Sequence, residues 1–72
     1  MTLKFFEENV DNWGALEWFN RMARAVREAD KAILEGRFLE AETARMVASS
    51  SATHLVREFE HEIREALTNE KI

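Results

Sequence analysis

The sequence contains no cysteine, no proline and no tyrosine, and only two glycines among its 72 residues. Without cysteine there is neither a disulfide framework nor a thiolate zinc site, two devices that commonly stabilise very small domains. Without proline, and with glycine confined to Gly14 and Gly36, almost nothing interrupts a helix and only two places punctuate one. No apolar run approaches the ~18–20 residues of a membrane span. Met1–Val10 also carries Lys4, Glu7 and Glu8 where a signal peptide needs an unbroken apolar stretch. No membrane partner is expected, and a cytoplasmic location follows as the default. A strong charge excess is missing too. Ten basic against fourteen acidic residues leave a net charge of -4, the wrong sign for a nucleic-acid binder and too small for a DNA mimic.

What is present is an apolar content of 46% beside 33% charged residues, the balance of a folded domain. A chain of this length has room for a single domain, 1–72, and buries only about 60% of the surface its unfolded form exposes. Such a core rarely supplies more than ~3–5 kcal/mol. With disulfides and thiolate metal sites excluded, self-association or a partner protein is the expected supplement.

The hydrophobic pattern is helical throughout, giving an all-α class. After an N-terminal segment, 1–10, which suits a short extra helix or a continuation, a first helix is expected over 11–35, with Asp11 or Asn12 as its N-cap. Leu16, Phe19, Ala23, Val26 and Ile33 form one stripe along it. Ala15, Trp18, Met22, Ala25, Ala29 and Ala32 form a second beside the first. So wide an apolar face exceeds what one neighbouring helix can cover, which predicts contact with the chain's own second helix and with another chain. Gly36-Arg37 ends the run, and a second helix is expected over 38–68, with Ala41, Ala44, Ala48, Ala52, Leu55, Phe59, Ile63 and Ala66 on one face. The expected fold is an antiparallel helical hairpin that dimerises into a four-helix bundle. Ser49-Ser50-Ser51 has low helix propensity, and a break there would instead give a three-helix bundle. The register of Ala48, Ala52 and Leu55 runs through it unshifted and favours the continuous helix.

His54, Glu58, His61 and Glu65 recur at helical spacing and project from one side of the second helix, as metal ligands would. Glu58-Phe59-Glu60-His61 looks like the Glu-x-x-His element of ferritin-like di-iron bundles. The resemblance implies a metal-binding bundle using Glu58 and His61, the alternative reading. These residues lie roughly 120° from the centre of the apolar face, however, where a solvated acidic flank is expected and no metal or cofactor is implied. Ser49–Ser51 and His54 share one short segment with no glycine-rich oxyanion loop, so no catalytic residue is assigned and the chain is not expected to be an enzyme. Arg21, Arg24, Arg27 and Lys31 share one band with Glu17, Glu28 and Glu35, and no aromatic sits among the arginines. That pattern describes an internally compensated helix surface better than a nucleic-acid interface.

Two features point to partners. Asp30 occupies an apolar position of the Leu16–Val26 stripe, and a hairpin folded at Gly36 brings Arg45 roughly opposite, so an Asp30–Arg45 structural pair is expected to set the register. Five of the seven aromatics fall in the first nineteen positions, and Phe5, Phe6, Trp13 and Trp18 are the candidate partner-binding anchors. The stretch Ala32–Ala41, with Gly36, Phe38 and Ala41, and Ala48 beyond it, resembles the inter-helix turn of tetratricopeptide-type repeats. The repeat's first-helix pattern and closing proline do not match, so the likeness expresses shared hairpin physics. By size, acidity and lack of cysteine the chain is similar to small inhibitors encoded by phages and mobile elements, and the expected function is a protein-interaction module: a regulator, inhibitor or co-chaperone.

Overall fold

Alanine-rich faces joined by one glycine turn organise the molecule. The computed structural model describes residues 3–9 and 13–70. It consists of three helices, α1 Lys4–Glu8, α2 Trp13–Leu34 and α3 Phe38–Glu70, with no strand among the described residues. The proposed caps Asp11 and Asn12 lie outside the described residues. Gly14 is an ordinary helical residue near the start of α2.

The turn is a Schellman motif. Gly36 adopts φ 73°, a left-handed conformation that a side chain would strain, although nothing lies within 4 Å of where a Cβ would be. The Arg37 amide donates to the Ala32 carbonyl at 2.8 Å and the Gly36 amide to the Ile33 carbonyl at 3.1 Å, satisfying the last carbonyls of α2. The Arg37 side chain then binds Glu35, donating from Nε at 2.7 Å, and Glu40 in the first turn of α3.

Small residues make the α2–α3 seam. Ala15, Ala25 and Ala32 of α2 are buried against Ala41, Ala44, Ser51 and Leu55 of α3. Of the two stripes on α2, the alanine one therefore forms the intramolecular contact, because small side chains let two helices approach along their whole length. The neighbouring stripe is only half-buried at Leu16, Phe19 and Ala23, and Val26 and Ile33 are 53% and 56% exposed. α3 passes through Ser49–Ser51 without a break, which removes the three-helix alternative built on that segment. Ser51 is 2% exposed and sits in the seam, where its size suits the close approach. Thr53 donates its hydroxyl to the Ser49 carbonyl at 3.0 Å, a side-chain bond made within α3.

α1 closes the open end. Its Phe6 is the largest fully buried side chain, 1% exposed, and forms the local core with Ala15 and Leu55, flanked by Leu3, Leu16, Trp18, Phe19 and Met22. Its ring meets Phe59 edge-on at 5.0 Å and Phe5 at 5.2 Å. Asn9 caps the short helix by donating from its side chain to the Phe5 carbonyl.

Candidate functional site

The aromatic anchors divide into inside and outside. Phe6 cannot reach a partner: its ring is the centre of the open-end core, which corrects its assignment as a binding residue. Phe5 is exposed on the outer side of α1, and Trp13, 68% exposed, stands at the first turn of α2. Trp18 is half-buried. Its indole stacks on the His54 ring at 4.1 Å with planes 16° apart, and the Arg21 guanidinium lies 4.8 Å from the indole centroid. A cation, an indole and an imidazole thus form a cross-helix polar–aromatic contact that the helical spacing does not reveal, because it depends on the register between α2 and α3.

That contact also places the histidine and glutamate series. His54 is engaged by Trp18, and Glu58 is half-buried beside Gly14, where a Cβ on the glycine would lie 3.8 Å from the Glu58 Oε1. His61 pairs with Glu65 at 3.3 Å on the exposed flank. Among the described residues no three His, Asp or Glu side chains converge on a point where a metal ion could sit. The four side chains follow one helix over several turns, and no acid from α2 is brought toward them.

Asp30 and Arg45 do not pair within the chain. Arg45 donates to Glu42 from Nε at 2.9 Å and from Nη2 at 2.5 Å, one turn away on its own helix, while Asp30 is exposed. The Arg45 hydrogen bonds hold the Glu42 carboxyl below the usual carboxylate range, and the same contact raises the Arg45 pKa. The Arg45 guanidinium is held instead by Glu42 on its own helix, and Asp30 makes no ion pair among the described residues. Among the described residues every ion pair lies within one helix or the turn, including Arg21–Glu17 and Arg64–Glu60 at 2.5 Å each, and none joins α2 to α3.

Among its charged residues the outer surface also carries apolar side chains larger than the alanines of the seam. Val26 and Ile33 on α2, and Phe38, Leu39, Val56 and Ile63 on α3, are all exposed, Leu39 at 86%. A shallow groove beside Phe19, Met22, Ala23 and Val26 continues this surface along α2. No described helix is long and apolar enough to cross a membrane. The chain matches no protein-family model, no curated protein and no solved structure.

Proposed function

We propose that the chain is a non-enzymatic protein-interaction module: a helical hairpin that self-associates toward a four-helix bundle and regulates a protein target, as an inhibitor, regulator or co-chaperone. The observation that carries this reading is the inversion of side-chain size. Alanine and serine fill the intramolecular seam, whereas valine, isoleucine, leucine, phenylalanine and tryptophan side chains stand outside it. A helix pair with large apolar side chains on its outer surface gains most by burying them against another protein.

Trp13 and Phe5 are the target-binding anchors under this reading, since both are exposed aromatics beside the open end. The test is an affinity capture from the native host with mass-spectrometric identification, run beside Trp13→Ala. Capture of one stoichiometric protein, lost in Trp13→Ala while the melting temperature moves by less than about 2 °C, is the expected result. Equal capture by both forms would remove Trp13 from the site.

A further inference from the structure

On α2, the stripe carrying Val26, Asp30 and Ile33 lies roughly a quarter to a third of a turn round from the alanine seam. On α3, Arg45 and Val56 lie roughly a quarter turn from the Ala44–Ala48–Leu55 seam, in the same rotational sense along the chain. Because the helices run antiparallel, equal rotation from a shared seam carries both stripes to one side of the layer. That side therefore presents Val26, Asp30 and Ile33 next to Arg45 and Val56, all exposed. α1 stands on its open end, through the Phe6 contacts with Ala15 and Phe59, and leaves the half nearer the turn uncovered.

Asp30 and Arg45 on this half carry charges that complement each other under a two-fold rotation, with Glu42 beside Arg45. The Trp18–His54 stack and the Gly14–Glu58 approach fix the register, placing Asp30 and Arg45 within about one helical turn of the same height above Gly36. Helical side chains lean toward the N-terminus, so Asp30 leans away from the turn and Arg45 leans toward it, which narrows that offset. Asp30 has no ion-pair partner among the described residues, and Arg45 has only an exposed contact with Glu42 on its own helix. Contacts of that kind contribute little.

We infer that a second copy of the chain covers this half-face, related by a two-fold axis parallel to the helices, with turns at the same end and Asp30 of each copy paired with Arg45 of the other. The inference rests on the self-association reading above and adds to it the face, the symmetry and the residues that set the register. Val26 and Ile33 supply the apolar contact around two buried ion pairs, and α1 makes the copies diverge toward the open end. The half-face measures roughly 20 by 20 Å, from two helices of ~10 Å and about fifteen residues of 1.5 Å rise, which is small for an interface. Association is therefore expected in the micromolar to millimolar range.

Sedimentation equilibrium of the full chain over that range, with far-ultraviolet circular dichroism to confirm helicity, tests it. Asp30→Arg and Arg45→Asp should each weaken the dimer at least tenfold, and the double variant with the charges exchanged should return to within about threefold of the parent. Val26→Glu, on the same face and outside the seam, should leave only monomer. A parent chain that stays at 8.4 kDa up to millimolar concentration overturns the self-association reading and this inference together. A dimer that is indifferent to the single reversals, or a double variant as weak as the two singles combined, overturns the Asp30–Arg45 register and leaves self-association standing.

Discussion

The two ends of the hairpin are built on opposite principles. At the open end a phenylalanine is driven fully into a core of Ala15 and Leu55, with Phe59, Phe19 and Trp18 around it. At the turn end the buried residues are Ala25, Ala32, Ala41 and Ala44, while Ile33, Leu34, Phe38 and Leu39 face outward. Burial stabilises in proportion to apolar area, at about 25 cal/mol per Å². The open end therefore holds most of the hydrophobic stabilisation available to the single chain. The turn end contributes geometry: alanines that allow a close approach, and a glycine that closes the loop. Buried bulk and exposed apolar side chains are thus separated along one axis.

Phe6→Ala should have the largest effect, a loss of about 3 kcal/mol in urea unfolding, because it empties the centre of the open-end core. Val26→Ala, of similar hydrophobic type but on the uncovered half, should change monomer stability by less than about 0.5 kcal/mol. Equal losses would mean that the two ends do not differ. Next comes Ala32→Leu, which should cost about 1–3 kcal/mol by forcing the seam apart at the turn end, whereas an alanine-to-leucine change on an open face would be tolerated. Gly36→Ala should cost about 1–2 kcal/mol, from the left-handed backbone alone since no neighbour obstructs the methyl group. Gly14→Ala is its control at the open end. An added methyl there makes ordinary contact with Glu58 at 3.8 Å, so stability should hold or rise by some tenths of a kcal/mol.

The smallest effect is electrostatic. The Glu42 carboxyl, lowered by its hydrogen bonds from Arg45, should titrate below an ordinary glutamate when followed by carbon-detected NMR, and return toward the ordinary value in Arg45→Gln. A depressed folded pKa means that the pair's contribution is complete above the unfolded carboxylate pKa and disappears as pH falls through the folded value. Both groups are fully exposed, so acid unfolding as a whole should hardly register it.

The helical pair, its glycine turn and the unbroken second helix are legible in the sequence, because each has a local cause: period, left-handed glycine, and unshifted register across Ser49–Ser51. Both stripes on α2 are legible as well. Which of them meets α3 is not, since periodicity gives the angle between stripes and says nothing about which one a partner will cover. Reading Asp30 as an inward acid follows from taking the Leu16–Val26 stripe as the seam. For Phe6 the sequence leaves two roles open, a partner-binding anchor or a side chain folded over the open end of the hairpin. A helix of five residues is too short to display a period, and its burial arises only when α1 folds across Phe59, a residue more than fifty positions away. The Trp18–His54 stack belongs to the same class of long-range facts.

The unequal lengths of the helices have a thermal consequence. α3 has 33 residues and α2 has 22, so with Glu58 beside Gly14 the segment carrying Ile63 and Leu67 continues past the start of α2. Among the described residues those last turns rely on their own backbone bonds, the Arg64–Glu60 pair and the Thr68 hydroxyl bonded to the Arg64 carbonyl. A short helical stretch without lateral support is marginal in water. Warming should therefore unwind this projection gradually, well before the hairpin melts as a unit. Ellipticity would drift linearly ahead of the cooperative step, and amide protons from about residue 64 onward would exchange with solvent through that local opening instead of through global unfolding.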